Sequence, residues 1–169
     1  MKLWFPLLVF AALLVLTAIY FFSGTGIMPD RVAVHFAADG SANGFMTREG
    51  YRRFLLEFGL GVPLGTALIV AVLPALIPTR VNLPNKDYWM APGRRAQSLA
   101  FLSGHGFWLG CLLLLLMSGV HRLVVAANAG DAGAQRLDNG GFAWVMGLFG
   151  IGIAVWAATL MLRFRRPPA

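Results

Sequence analysis

Four long apolar runs dominate the pattern of hydrophobic and polar positions along the 169-residue chain. They cover residues 3–22, 55–77, 99–119 and 142–162, and polar segments rich in turn residues separate them. A helix of about 20 residues is about 30 Å long, which matches the hydrocarbon core of a bilayer. Apolar residues occur on every side of each run, as contact with lipid requires. The pattern predicts an all-α integral membrane protein with four transmembrane helices.

The first run follows Lys2, in the position that a signal peptide would take. It is longer than the apolar core of a usual signal peptide, and no Ala-x-Ala cleavage site follows it. We therefore expect residues 3–22 to be retained as a helix. The chain then divides into residues 1–98, a helix pair with two patterned polar loops, and residues 99–169, a transmembrane hairpin.

Composition and charge support a membrane location. The chain is 58% hydrophobic and 12% charged, with a formal net charge of +7. In a soluble protein this excess of positive charge would indicate nucleic-acid binding. Beside apolar spans it indicates orientation, because cytoplasmic loops are enriched in Lys and Arg. We expect no nucleic-acid partner.

The basic residues favour cytoplasmic termini in a bacterial inner membrane. With that orientation eight basic residues lie inside, namely Lys2, Arg80, Lys86, Arg94, Arg95, Arg163, Arg165 and Arg166. Six lie outside, namely Arg31, Arg48, Arg52, Arg53, Arg122 and Arg136, and the acidic residues of the same loops balance them.

The polar loop of residues 24–54 is too patterned for a simple connector. Residues 31–36 alternate between apolar and polar, as in a strand. Asp39-Gly40 and Asn43-Gly44 are turn signals, and Thr47 can cap a short helix that leads into the second span. The loop is expected to form a small ordered extracytoplasmic cap, consisting of an extended segment, a double turn and an amphipathic helix.

His35, Asp39 and Asn43 are the candidate contact residues of this loop. His35 and Asp39 could polarise a ligand or hold an ion. In the alternative that we favour, Asp39 and Asn43 cap turns with their side chains and His35 bonds to the backbone. His35 and His121 are both expected outside and could meet.

The remaining histidine and the cysteine give no metal site. His105 and His121 are separated by about 24 Å along one helix, so they cannot share an ion. We expect an interhelical hydrogen bond for His105. Cys111 is the sole cysteine, which excludes an internal disulfide. No metal and no cofactor are expected.

The second polar loop, residues 78–98, contains the other candidate contact residues, Asn85, Tyr88, Trp89, Arg94 and Arg95. Aromatic and basic residues suit the interface with an anionic inner leaflet. The same residue types are preferred where proteins dock. Membrane anchoring and docking of a cytoplasmic protein both remain open for this loop.

Both loops resemble one bacterial family. Residues 28–36, followed by Asp39-Gly40 and Asn43-Gly44-Phe45, are similar to the signature of domain-of-unknown-function family 1648: Leu-Pro, a short strand ending in His-Phe, a Gly turn, and Asp-Gly-Trp. The same domain forms the N-terminal part of membrane immunity proteins against the sporulation-delaying toxin. Residues 83–95 are similar to a second segment of the family, so the resemblance covers about residues 1–100.

Three positions depart from the family pattern. Asn43 and Phe45 stand where Asp and Trp are common, and Gly93 stands where an acidic residue is usual. The resemblance implies an immunity-like multi-pass membrane protein and implies no particular activity.

No sequence motif of a hydrolase or a metalloenzyme is present. We therefore expect a non-enzymatic membrane protein that acts in envelope sensing, in immunity or as an accessory subunit. Its partners would be the lipid bilayer, an extracytoplasmic peptide or protein and a cytoplasmic protein, and a homo-oligomer remains open. The alternative is a membrane-embedded enzyme or a metal- or ligand-binding protein that uses His35 and Asp39. A small transporter is disfavoured, because His105 is the sole acid or base in mid-span.

Overall fold

The computed structural model describes residues 3–130 and 135–165. Its helices are α1 (Trp4–Gly26), α2 (Arg48–Phe54), α3 (Gly61–Leu76), α4 (Lys86–Trp89), α5 (Pro92–Ala127) and α6 (Asn139–Phe164). The strands β1 (Arg31–Phe36) and β2 (Ala42–Thr47) lie between α1 and α2. A π-helical segment (Leu55–Leu60) joins α2 to α3, and a 3-10 turn (Pro78–Arg80) follows α3.

Four helices are long and apolar enough to cross a membrane, which confirms the four predicted spans at this level. They are α1, the continuous helix Arg48–Leu76, α5 and α6. Each is longer than the apolar run that predicted it. With 36 residues, α5 is about 54 Å long, so it extends well beyond a hydrocarbon core of about 30 Å.

Helix α5 is the centre of the bundle, since α1, α3 and α6 all pack on it. Glycines allow the close approach. A Cβ atom at Gly106 would lie 2.5 Å from the backbone nitrogen of Ala71 on α3. At Gly110 it would lie 2.6 Å from the ring of Phe10 on α1. Small residues drive helix association in lipid because the hydrophobic effect does not act between helices there.

Hydrogen bonds between helices add to this packing. Ser103 donates to the Ala71 carbonyl at 2.5 Å, in the turn of α3 that precedes Pro74. The Nε2 atom of His105 lies 3.0 Å from the Thr159 hydroxyl on α6, which confirms the predicted interhelical bond of His105. Trp156 on α6 donates to the His105 carbonyl at 2.9 Å. These bonds fix α3 and α6 against α5.

The π-helical segment adapts the second span to a proline. Pro63 has no backbone N–H, and its ring would clash with the carbonyl of Gly59 in a regular helix. The wider turn at Leu55–Leu60 lies directly before this proline. It also sets the direction of α2, which carries Tyr51 against the end of α5.

The segment between α1 and α2 is a two-stranded antiparallel hairpin, hereafter the hairpin (residues 31–47). One predicted turn is confirmed, because Gly40 adopts a φ of 85° directly after Asp39. The other is wrong, since Asn43 and Gly44 lie within β2. Gly44 is opposite His35, where a Cβ atom would lie 2.8 Å from the Cβ of His35. Gly44 therefore allows the two strands to approach closely at the point where their register is irregular.

We predict that Gly106→Ala destabilises the protein and that Gly65→Ala does not. The new methyl group would meet the backbone of α3 at position 106, and such overpacking typically costs about 1–3 kcal/mol. At position 65 nothing lies within 4 Å of the added carbon. Thermal unfolding in detergent measures both variants. Equal melting temperatures of the two variants would contradict the close contact between α5 and α3 at Gly106.

Candidate functional site

The hairpin is attached to the end of α5 by one side chain. Asn128 accepts a hydrogen bond from the backbone nitrogen of Ala33 at 2.8 Å and donates to the Ala33 carbonyl at 3.0 Å. It also donates to the Val124 carbonyl at 2.8 Å, which ties it to the last turn of α5. Both Asn128 and Ala33 are buried. The side-chain amide of Asn128 thus forms the two hydrogen bonds with Ala33 that the backbone of a neighbouring strand would form.

The tip of the hairpin is attached to the segment before α6. Leu137 donates its backbone N–H to the Gly40 carbonyl at 2.9 Å. Arg136 donates to the Asp39 carbonyl at 2.7 Å, and Asn139 donates to the Ala38 carbonyl at 2.9 Å. The hairpin therefore bridges the ends of α5 and α6.

A cavity of about 530 Å³, the hairpin cavity, lies between β1, α5 and the start of α6. Its lining is mainly apolar, with His35 and Asn139 as the polar side chains. The lining residues are Val34, His35, Phe36, Ala37, Ala38, Val120, Leu123, Val124, Leu137, Asn139 and Phe142. A mainly apolar wall with few polar groups is typical of ligand sites, which commonly measure about 300–1,000 Å³.

A smaller cavity of about 190 Å³ adjoins it and shares Val34 and His35. Tyr51 and His121 line this second space, and the Tyr51 hydroxyl lies 3.0 Å from Nδ1 of His121. His35 and His121 therefore line one cavity, at the same end of the bundle. The ring of His121 is completely buried, and its Nε2 atom packs against Gly24 with no hydrogen-bond partner among the described residues.

Of the three predicted contact residues in the hairpin, Asp39 has a structural role. Its carboxylate accepts hydrogen bonds from the Ser41 hydroxyl at 2.6 Å and from the Ser41 backbone at 3.0 Å. These bonds lower the pKa of the Asp39 carboxyl below its usual value. The predicted capping of a turn by Asp39 is confirmed.

His35 and Asn43 do not make the hydrogen bonds that the favoured alternative gave them. Asn43 is exposed within β2, so the prediction that it caps a turn is wrong. The imidazole of His35 has no hydrogen bond to a described residue, so its predicted bond to the backbone is wrong as well. Of the three residues, His35 lines the cavities and Asp39 and Asn43 do not.

At the opposite end, two of the five predicted contact residues serve the fold. The Trp89 indole is buried and donates to the Phe164 carbonyl at the end of α6 at 3.3 Å. Asn85 has a φ of 52° and donates to the Arg165 carbonyl at 3.1 Å. These two bonds attach α4 to α6.

The other three residues of that loop remain accessible. Tyr88 is half-buried, and the guanidinium of Arg94 lies 3.9 Å from the centre of its ring. Arg94 and Arg95 are exposed in the first turn of α5.

Asn128 and Tyr51 had no assigned part in the sequence-derived site, and His121 was considered there only as a neighbour of His35. Tyr51 and His121 line the smaller cavity, and Asn128 anchors the hairpin. Asn128 comes directly after Ala127, the last residue of α5. An asparagine at the end of a predicted helix is a signal for a cap, and this one caps a neighbouring strand instead.

Within the described part of the chain, no three His, Cys, Asp or Glu side chains are grouped so that they could hold a metal ion. The chain matches no protein-family model, no curated protein and no solved structure. Four of its helices are long and apolar enough to cross a membrane. Any functional assignment therefore depends on the geometry of the two ends of the bundle.

We predict that Asn128→Ala releases the hairpin from α5. The substitution leaves the buried N–H and carbonyl of Ala33 without partners, at about 1–3 kcal/mol for each group. Limited proteolysis should cut residues 31–47 much faster in this variant. Asn43→Ala is the control, since Asn43 is exposed on the same hairpin, and it should be cut at the wild-type rate.

We predict that the hairpin turn loosens in acid through Asp39. Because the pKa of Asp39 is lowered in the folded protein, its stabilisation is present above the usual value of 3.8 and is lost as pH falls below it. The protection factor of the Ser41 amide in hydrogen exchange should fall over that range. In Asp39→Asn the protection should not depend on pH, and an unchanged wild-type profile would exclude this role.

Proposed function

We propose that this chain is a non-enzymatic multi-pass protein of the bacterial cytoplasmic membrane that binds an extracytoplasmic peptide or protein segment in the hairpin cavity. The observation that carries the proposal is the cavity of about 530 Å³, whose walls come from β1, α5 and the start of α6. A simple connector between two helices does not need a hairpin that is anchored at both ends. Envelope sensing and immunity to an extracytoplasmic peptide both require a site of this kind.

The chemistry of the hairpin cavity favours a peptide ligand, which combines apolar side chains with a polar backbone. Val34, Leu123 and Phe142 offer apolar walls, while His35 and Asn139 provide hydrogen-bonding groups. A peptide can place one or two apolar side chains against the apolar walls, and its backbone can form hydrogen bonds with His35 and Asn139. The resemblance of residues 28–45 and 83–95 to domain-of-unknown-function family 1648, a domain that also forms the N-terminal part of immunity proteins, is part of this proposal and was expected from the sequence alone.

The distribution of charge supports an extracytoplasmic hairpin. Within the described residues, the hairpin end carries acidic and basic groups in near balance, including ion pairs of Arg48 with Asp30 and of Arg52 with Glu49. The other end, hereafter the basic end, carries Arg80, Lys86, Arg94, Arg95, Arg163 and Arg165 against Asp87. Lys and Arg concentrate on the cytoplasmic side. Both termini would then be cytoplasmic.

The alternative of an enzyme or metal site at His35 and Asp39 has less support. The Asp39 carboxylate is held by Ser41 in the hairpin turn and does not line either cavity.

The basic end would meet the cytoplasmic partner through Tyr88, Arg94 and Arg95, the residues that remain accessible there.

Cysteine labelling tests the orientation. Cys111 is the sole cysteine of the chain, so Cys111→Ser gives a background without thiols. In this background Asn43→Cys should react with a membrane-impermeant maleimide in intact spheroplasts. Gly93→Cys, at the basic end, should react only after permeabilisation. The opposite pattern would invert the proposed topology.

Photocrosslinking tests the binding site. A photoreactive amino acid at Ala38, which is exposed at the cavity, should give an adduct with an extracytoplasmic peptide or protein in living cells. Val120→Trp fills the cavity, so it should abolish that adduct while the protein still reaches the membrane. The same probe at Gln97, exposed in the first turns of α5, is the matched control and should not give it. An adduct that persists in Val120→Trp would contradict binding in the cavity.

A further inference from the structure

A long apolar groove, hereafter the α5–α6 groove, follows the contact between α5 and α6. Its volume is about 610 Å³, and its α5 wall extends from Phe101 to Leu115, about 21 Å of helix. The lining residues are Phe101, His105, Trp108, Cys111, Leu112, Leu115, Gly152, Val155, Trp156 and Thr159. His105 and Thr159 bond to each other, so the wall is apolar in effect.

The groove is long enough to hold a single acyl chain. One leaflet occupies about half of a hydrocarbon core of about 30 Å, so its chains extend roughly 15 Å. The groove is longer than this and lies on two helices that are apolar enough to cross a membrane. None of the most apolar 18-residue window of α6 is buried within the protein, so the α6 wall of the groove is accessible from outside the bundle.

Arg163 lies at the basic end of this groove. It follows Thr159 by four residues and Trp156 by seven, so it is on the same face of α6 as these two lining residues. Its guanidinium lies 4.4 Å from the centre of the Trp89 ring and 5.7 Å from that of Phe101, the first residue of the groove. The groove therefore ends at a positive charge held between aromatic rings.

No anion within the described residues neutralises this charge. Arg163 is half-buried, and it takes no part in the ion pairs or side-chain hydrogen bonds of residues 3–130 and 135–165. The exposed cations Arg94, Arg95 and Arg165 lie at the same end. A guanidinium presents five donors in a planar fork, which suits the paired oxygens of a phosphate.

We propose that the α5–α6 groove and Arg163 together form a binding site for an anionic phospholipid. The phosphate of the headgroup bonds to Arg163 where α6 ends, and one acyl chain lies along Phe101, Leu112 and Val155. Charge complementarity selects an anionic headgroup, because six cations surround this end against Asp87 in the described segments. Arg163 is at the opposite end of the bundle from the hairpin cavity, so this site rests on the proposed membrane location but not on peptide binding in that cavity.

The test measures lipid binding to the full chain in detergent. Phosphatidylglycerol and phosphatidylcholine are titrated against the purified protein, and the fluorescence of the groove tryptophans and native mass spectra report binding. The wild-type protein should prefer phosphatidylglycerol. Arg163→Gln should weaken its binding about tenfold, the size expected when one charge-assisted hydrogen bond is lost. Arg122→Gln, an exposed arginine near the other end of α5, is the matched control and should bind like wild type.

A second variant tests the acyl chain independently. Val155→Trp fills the α5–α6 groove from its exposed side and should weaken phosphatidylglycerol binding while Arg163 stays in place. If Arg163→Gln does not fold, Arg163→Lys replaces it and should bind less tightly than wild type, because an ammonium lacks the planar fork.

Four outcomes would overturn the proposal. They are equal binding of the two lipids, wild-type binding by both the arginine and the groove variants, full competition by inorganic phosphate alone, and a protein dimer whose interface covers the groove in lipid nanodiscs.

Discussion

The close approach of α5 to α1 and α3 is the contact on which the rest of the structure depends. Gly106 and Gly110 bring the backbone of α5 against Ala71 and the ring of Phe10, at distances that no larger residue allows. In lipid, burial of apolar surface gives little preference for one helix arrangement over another, so shape at these two positions selects the arrangement. The hydrogen bonds of Ser103 and His105 then fix the rotation of the neighbouring helices.

The length of α5 connects this membrane core to both polar ends. One end of the helix carries Asn128, which holds the hairpin, and the other begins beside Trp89, whose carbonyl accepts a hydrogen bond from Ser98. A single rigid helix of 36 residues therefore contacts the hairpin cavity, the α5–α6 groove and the basic end. The two proposed sites share this helix and differ in the chemistry of their occupants, a peptide at one end and a lipid at the other.

Local chemistry in the sequence was sufficient to predict some features and not others. Hydropathy predicted four spans, and the Asp39-Gly40 pair predicted a turn that Ser41 stabilises. Both depend on neighbours in the chain. The Asn43-Gly44 pair has the same local signal, but its glycine is required by His35 on the opposite strand. The cavities and the anchor at Asn128 depend on contacts between residues far apart in the chain, which no local pattern records.

The anchor at Asn128 has a consequence for the order of synthesis. Ninety-five residues separate Asn128 from Ala33 along the chain, so β1 leaves the ribosome long before its partner does. At a synthesis rate of about 5–20 residues per second, Asn128 is made roughly 5–20 seconds after Ala33. During that time the edge of β1 and the apolar face of Val32 are without their final cover. The first half of the chain is thus inserted as an unfinished structure, and the second half completes it.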